Sequence, residues 1–331
     1  MLRNIVRVPP KADDTRWMAA AAALAERARP LSSPNPGVGA IIIKDGIVVG
    51  RGWTQPGGRP HAEAMALEEA GEAVRDATAY VTLEPCAHQS TRGPSCASLL
   101  AASGPKRLVY GARDPDPRTA GTGIKILADA GVACVQIDSE AIQQSLAGHL
   151  MQFREGRPHV TLKLAMSLDG CIAMANGESR WITGDAARAH THRERARADA
   201  ILVGGETVRS DDPQLNVRLS GLENRSPHRL VLTHGNAPDG WGAVHSPEDV
   251  RRLTGIGYLF IEGGAGAAGA FLQADLVDRL LIYRAPILIG GGRAGVSDFG
   301  LDSLRAAHGR WRSDAHIRLG EDTLEIYTRT R

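Results

Sequence analysis

Cysteine is scarce in this chain, with four in 331 residues, which argues against a disulfide framework. Aromatic residues make up only 4%. The charges nearly cancel, 39 Lys and Arg against 37 Asp and Glu, for a net +2. With neither stacking platforms nor a basic face, the composition speaks against a nucleic-acid-binding module. No apolar run reaches about 18 residues, so no membrane span is expected. The N-terminal MLRNIVRVPPKADD lacks an apolar core followed by a small-residue cleavage site, so a cytoplasmic protein is expected. No internal repeat or low-complexity tract occurs. What is present is 43% hydrophobic residues, enough for ordinary globular cores, and a length that suggests about two domains.

Two of the four cysteines belong to the most informative pattern in the chain. His61-Ala62-Glu63 is followed by Pro85-Cys86 and then by Cys96. One imidazole and two thiolates suffice for a catalytic zinc site, which keeps its fourth tetrahedral position for water. A closed structural site would use four protein ligands. Glu63 need not be a ligand and is placed to shuttle protons for a water that zinc activates. This is the H-x-E…P-C…C signature of the zinc nucleobase deaminases. One zinc per chain on His61, Cys86 and Cys96 is therefore expected, with Glu63 as the general acid–base. Cys134 and Cys171 are expected to pack as small apolar residues.

Asp13 and Asp14 open an Ala-rich helix with acidic capping. VGAIIIKDGIVVGRGW reads as a β-hairpin turning at Asp45-Gly46. A helix from the His61 motif follows, then a strand, AYVTL, that ends at Glu84-Pro85-Cys86. Cys96 opens a short helix. Strand RLVYGA, a helix from Gly121 to Ala130, strand VACVQI and a helix over 139–154 complete the first half. This alternation predicts an α/β layered domain. A polar break at Arg154 to Pro158 reads as a linker, which divides the chain into 1–155 and 156–331. The second part repeats an α/β pattern, with strands HVTLKLAMS, DAILVGG, HRLVLT, YLFIEGG, VDRLLIYRAP, HIRLG and LEIYTR. Its helices are Asp185 to Arg197 and AGAAGAFLQAD. Within it, Glu262 to Gly269 follows a strand and opens a helix, where backbone N–H groups can approach a phosphate. No acidic residue follows at the dinucleotide-binding distance, and a glycine-rich turn with no ligand stays open as a reading. Gly290 to Gly292 is read as a flexible turn.

Longer motifs then fall in order. The first half carries Asn35-Pro36-x-Val38-Gly39, His61-Ala62-Glu63, Thr82-Leu83-Glu84-Pro85-Cys86-Ala87-His88, Asp114-Pro115-Asp116-Pro117 and Ala120-Gly121-x-Gly123. The second carries Lys163-Leu164-Ala165-x-Ser167-Leu168-Asp169-Gly170, Gly177-Glu178-Ser179-x-Trp181-Ile182-Thr183, Thr207-Val208-x-x-Asp211-Asp212-Pro213-x-Leu215 and Glu262-Gly263-Gly264. Together they resemble the bifunctional riboflavin-biosynthesis deaminase–reductase family over about residues 15–330. The resemblance implies a cytidine-deaminase-like α/β/α layered domain followed by a dihydrofolate-reductase-like α/β domain. It implies deamination of 2,5-diamino-6-ribosylamino-4(3H)-pyrimidinone 5′-phosphate, then NADPH reduction of the ribosyl side chain to ribityl. Asn35 would touch the first substrate. Lys163, Ser179, Arg195, Leu215, Arg218 and Glu262 would touch the second, with Arg195 and Arg218 on its phosphate because Arg binds phosphate as a fork. Ala165, Trp181, Thr207, Asp211 and the run Gly263, Gly264, Ala265, Gly266, Ala267, Ala268, Gly269 would line NADPH. A homodimer or larger homo-oligomer is expected, with no nucleic-acid or membrane partner.

The bland alternatives are a turn-shaping Asn35, a salt-bridged Lys163 at a strand end, a core Trp181 and a structural His88. The sequence also departs from the family. The loop from His88 to Cys96 is one residue longer than usual, and the connection from Thr233 to Tyr258 is short. His234 stands where the family has a Ser, so the outer cofactor subsite is expected to be reduced or rebuilt. A chain with only one active half, or a different zinc deaminase with a degenerate reductase, is the competing reading.

Overall fold

The computed structural model describes residues 11–88 and 93–331. Residues 89–92, in the loop between the two thiols, lie outside the described residues. The chain divides into two compact units, one running to Gly156 and one from Arg157 to Arg331.

In the first unit five strands form one sheet. They are β1 (Gly39–Lys44), β2 (Ile47–Trp53), β3 (Thr78–Leu83), β4 (Arg107–Ala112) and β5 (Ala133–Gln136), in the order β2-β1-β3-β4-β5. β1 is antiparallel to both its neighbours, while β3, β4 and β5 run parallel. The hairpin turns at Asp45 and Gly46, both at positive φ, as the Asp-Gly pair predicts. The helices are α1 (Asp14–Ala25), α2 (Ala62–Ala70), α3 (Cys96–Ser103), α4 (Thr122–Asp129), α5 (Glu140–Ser145) and α6 (Ala147–Glu155). The single helix expected over 139–154 is thus two, broken at Leu146, whose ψ of 5° departs from the helical value. Asp13 makes no side-chain cap bond. Asp14 is buried instead, taking both Nη atoms of Arg107 at 2.7 Å and the Tyr80 hydroxyl at 2.8 Å. This ties α1 to β3 and β4. Burial works to raise the Asp14 carboxyl, and its Arg107, Lys11 and Tyr80 hydrogen bonds more than offset that and hold it below its usual value.

Glycines let two helices press on this sheet with their backbones. A Cβ built on Gly39 would lie 1.9 Å from the Ala21 carbonyl of α1. One on Gly50 would lie 2.1 Å from the Ala66 carbonyl, and one on Gly52 2.2 Å from the Ala62 carbonyl. The seating of α2, and with it His61 and Glu63, is set by β2 glycines.

The second unit is built on an eight-stranded sheet in the order β10-β9-β8-β11-β6-β12-β15-β14. Its strands are β6 (His159–Met166), β8 (Ala200–Gly204), β9 (His228–Leu232), β10 (Gly242–Val244), β11 (Tyr258–Ile261), β12 (Arg279–Arg284), β14 (Trp311–Leu319) and β15 (Asp322–Arg329). The first six in sheet order are parallel, and the last two strands are antiparallel. β7 (Cys171–Ala173) and β13 (Arg293–Ala294) form a small separate pair. Helices α7 (Asp185–Arg195), α8 (Gly205–Asp211), α9 (Ala265–Gln273) and α10 (Leu304–Ala307) complete it. β6 alternates strictly. Val160, Leu162 and Leu164 are buried in the core, while Lys163 and Ala165 belong to the alternate positions. Lys163 is therefore mid-strand rather than at a strand end. The sequence pattern does not reveal α8, α10, β7, β10 or β13, all short and without a full period of apolar residues.

Gly52→Val is expected to destabilise the first unit by about 2 kcal/mol or more, because the added side chain overlaps the α2 backbone. Thermal unfolding should show its melting temperature fall by roughly 5 °C. An unchanged transition would mean that α2 can withdraw from β2 without cost.

Candidate functional site

In the first unit three elements converge on one point. His61 sits at the N-cap of α2, Cys86 just beyond β3, and Cys96 is the first residue of α3. The Ser95 hydroxyl caps α3 by accepting the Ser98 N–H. His61 Nδ1 lies 3.6 Å from Cys86 Sγ and 3.3 Å from Cys96 Sγ, and all three ligand atoms fall within 4.8 Å of one another. Zinc bonds of about 2.1 Å to nitrogen and 2.3 Å to sulfur place tetrahedral neighbours roughly 3.6 Å apart. The donor set fits a zinc ion in both chemistry and spacing. The Cys96 N–H also donates to Cys86 Sγ at 3.4 Å, an outer contact of the kind that orients a ligand. The hydrogen bond from Cys96, followed by that from His61, draws the Cys86 thiol down to about 4.

Glu63, in the first turn of α2, is only 4% exposed, and burial pushes its carboxyl up to about 7. The surroundings of the Pro85-Cys86 turn are set by Glu84. Its buried carboxylate accepts the N–H groups of Gly121 and Ile124 at 3.0 and 3.4 Å. A Cβ on Gly123 would meet the Pro85 carbonyl at 2.0 Å, so α4 rests directly on the turn. Asn35 donates from Nδ2 to the Gly58 carbonyl at 3.0 Å, so one of its donors shapes the loop that leads to His61.

In the second unit the expected residues gather around one cavity of about 950 Å³ at the carboxyl ends of the parallel strands. This is where open parallel sheets bind ligands. Lys163, Ala165, Ser179, Trp181, Arg195, Thr207, Asp211, Leu215, Arg218, Glu262 and the run from Gly263 to Ala267 line it. Ala268 and Gly269 do not. Ala268 is fully buried, and a Cβ on Gly269 would strike Ser297 Oγ at 2.2 Å. Gly264, Gly266 and Gly269 do stand in G-x-G-x-x-G spacing, yet α9 begins at Ala265, so only the start of the run is a turn. Helical periodicity then carries its last two residues away from the cavity.

Glu262 is the electrostatic centre of the cavity. Arg195 grips it with two N–H groups, Nη2 to Oε2 at 2.9 Å and Nε to Oε1, and gives Nη1 to the Asn216 carbonyl at 2.9 Å. Lys163 Nζ lies 3.7 Å from Glu262 Oε2. Burial would raise the Glu262 carboxyl, but Arg195 and Lys163 hold it below its usual value. Burial also holds the Lys163 ammonium below its ordinary range, against the pull of Glu262. Arg195 is thus engaged by a carboxylate, while the Arg218 side chain, at the rim, reaches Asn216 Oδ1 at 3.3 Å. Trp181 is 66% exposed with the Arg188 guanidinium 4.8 Å from its ring centroid, so it is not a core residue. Sequence reasoning missed Arg188, His192, His245 and Arg293 on the cavity wall. No local motif marks them.

Two family models divide the chain. The cytidine and deoxycytidylate deaminase zinc-binding region matches residues 11–112, and the RibD C-terminal domain matches residues 158–324. The riboflavin biosynthesis protein RibD of Haemophilus influenzae is 36% identical, over 95% of this chain and 97% of its own length. The chain belongs to the RibD family. The RibD protein of Escherichia coli is 39% identical over 89% of this chain and 94% of its own length. The solved structure of Acinetobacter baumannii RibD superposes with a TM-score of 0.83 at 35% identity, covering 96% of this chain and 99% of that one. The deaminase/reductase structure from Thermotoga maritima does so with 0.85 at 29% identity and the same coverage. A cytidine-deaminase-like unit and a RibD reductase unit therefore make up a bifunctional enzyme of riboflavin biosynthesis. It is a hydrolase and an oxidoreductase, with zinc and NADPH as its cofactors.

Cys96→Ser is expected to lower zinc affinity by at least the roughly 10–100-fold that even an outer-contact change costs. Elemental analysis should give well under one zinc per chain after dialysis. Retention equal to wild type would remove Cys96 from the metal site.

Proposed function

We propose that the segments 1–155 and 156–331 are the deaminase and reductase domains and act in sequence on one pyrimidine ribosyl phosphate. The first would remove an amino group from 2,5-diamino-6-ribosylamino-4(3H)-pyrimidinone 5′-phosphate, and the second would reduce the ribosyl group of the product to ribityl. The convergence of His61, Cys86 and Cys96 beside a buried, readily protonated Glu63 carries the first assignment. The Lys163–Glu262–Arg195 cluster at the end of a cavity that also holds a glycine turn carries the second.

His61, Cys86 and Cys96 would hold zinc, which supplies an activated water. Glu63 would carry one proton from that water to the pyrimidine ring nitrogen, and then a second, from the hydroxyl added to the ring carbon, to the amine that departs as ammonia. Its seclusion from solvent suits this task, because a carboxyl near neutrality can both accept and release a proton at working pH. Asn35 would orient the substrate beside the loop it holds. In the reductase, NADPH supplies the hydride. Lys163 and Glu262 would hold the sugar, with Lys163 able to give a proton because burial weakens its hold on it. Ser179 and Leu215 would bound the substrate, and Arg218, at the exposed rim, would meet the phosphate, with Arg195 behind it steadying Glu262. Ala165, Trp181, Thr207, Asp211 and Gly263 to Ala267 would line the cofactor.

The reduced thiols that such a zinc site requires suit the cytoplasm. The edge strand β14 and the exposed Leu168 and Leu288 support pairing of two copies in a homodimer, because an open strand edge and exposed large apolar side chains invite association. Sedimentation velocity on the full chain should return the mass of a dimer, and a single monomer boundary at micromolar concentration would refute this.

Glu63→Gln should cut ammonia release by about 10²–10⁴-fold or more, with zinc still bound. NADPH oxidation should persist when the deaminated intermediate is supplied. A parallel loss of reductase activity would refute the assignment of one reaction to each unit.

A further inference from the structure

Another cavity of the second unit lies on the rim opposite the catalytic one. It encloses about 210 Å³ and is walled by Leu272, Val277, Phe299, Leu301 and Trp311. Val277 comes just before β12, and Trp311 opens β14. β12 runs parallel to β6. The cavity therefore sits at the amino ends of strands whose carboxyl ends bound the catalytic cavity. α9 connects the two rims. Its first residue, Ala265, lines the catalytic cavity, and Leu272, near its end, lines this one. The two are roughly 10 Å apart along the helix axis.

Two charged residues, Asp275 and Arg310, also line it. Asp275 is already engaged. Arg329 holds it with a fork, Nε to Oδ1 at 2.8 Å and Nη2 to Oδ2 at 3.2 Å. Arg331 Nε adds a contact of 3.6 Å. Arg310 is not engaged in this way. Its Nη2 lies 3.7 Å from Asp275 Oδ1, too far for a hydrogen bond, and its side chain makes none among the described residues. Its backbone is fixed, because the Arg310 carbonyl accepts Arg329 Nη1 and the Thr330 N–H, both at 2.9 Å. The Arg329 guanidinium in turn lies 5.8 Å from the Trp311 ring centroid. One guanidinium is thus held at an apolar cavity with no hydrogen-bond acceptor of its own. The surrounding charge favours an anion, since Arg157, Arg310, Arg329 and Arg331 face Asp275 and Asp278. The neighbouring Asp298 accepts the Gly300 N–H at 2.9 Å and does not line the cavity.

We infer that this cavity is a binding site for a small aromatic carboxylate, separate from the catalytic cavity of the same unit. Its size fits one ring. Apolar cavities of about 150 Å³ take benzene, and 210 Å³ leaves room for a substituent. It is too small for a dinucleotide, which the 950 Å³ of the catalytic cavity accommodates. Phe299 and Trp311 offer aromatic surface for the ring to pack against. The carboxylate would accept two N–H groups of the Arg310 fork, a charge-assisted pair. An uncharged ring would leave Arg310 without an acceptor, and a carboxylate with no ring would leave the apolar walls uncovered.

The test uses the full chain loaded with zinc and NADPH, so that the catalytic cavity is filled. 4-Fluorobenzoate and the uncharged 4-fluorobenzyl alcohol are titrated by fluorine NMR line broadening. The acid should bind with a Kd of about 1 mM or tighter, within reach of a ligand of about ten non-hydrogen atoms. Arg310→Gln should weaken the acid about 10-fold and the alcohol by less than about two-fold, the difference of one charge-assisted contact. Ala307→Phe fills the cavity from the exposed α10 and should abolish binding of both, with NADPH affinity unchanged as the sign of an intact fold. If that variant does not fold, the partly exposed Arg310→Gln decides alone. Absence of acid binding to the wild type overturns the site. Acid binding that neither variant alters also overturns it, because the ring then lies elsewhere. Equal weakening of acid and alcohol by Arg310→Gln does the same, because the guanidinium is then not what recognises the carboxylate.

Discussion

The deaminase unit depends on the backbone of α2 lying directly against β2. Ordinary side chains on β2 would hold the helix away, and His61 and Glu63 would recede from the thiols. Gly50 and Gly52 remove that spacing, and their missing Cβ atoms would sit about 2 Å from helix carbonyls. The other two ligands come from different elements, the end of β3 and the start of α3. A metal bound by three separated segments needs each held independently. Glu84 and Gly123 hold the Pro85-Cys86 turn from one side, and the Ser95 cap fixes where α3 begins. Burial of Glu63 in the same corner is what makes its proton mobile near neutrality.

The reductase unit is organised by a different constraint. Its parallel strands all end on one rim, so residues far apart in sequence meet along it. A buried carboxylate on that rim would be costly alone. Glu262 persists as a charge because Arg195 and Lys163 face it. Burial at the same place holds the Lys163 ammonium below its ordinary range. Glycine at the β11–α9 junction leaves the backbone bare in the middle of the rim, and His234 and His245 line the wall beyond it. One trough thus carries the Lys163–Glu262–Arg195 cluster, a glycine turn and two histidines along its wall.

The convergence of His61, Cys86 and Cys96, with Glu63 beside His61, was legible in the sequence because each belongs to a short motif whose spacing encodes its position at a strand end or helix start. The alternating strands and long helices were equally legible from their periodicity. The short elements α8, α10, β7, β10 and β13 were not, since two to seven residues carry too little pattern. The run from Gly263 to Gly269 was half legible. Its glycines announce a close approach, but which of them face the ligand depends on where α9 begins and on Ser297, which packs against Gly269 from far along the chain.

Sequence alone therefore determined the donor set of His61, Cys86 and Cys96, the carboxyl of Glu63 close by, and the order of two α/β units. These are local properties, written in residues close together or in motifs of fixed length. Only the tertiary structure decided that Arg195 grips Glu262, that Trp181 stands exposed at a cavity, and that His234 and His245 line the same cavity wall. Those arrangements arise because parallel strands from distant segments lie about 4.8 Å apart, and no local pattern records which strand becomes whose neighbour.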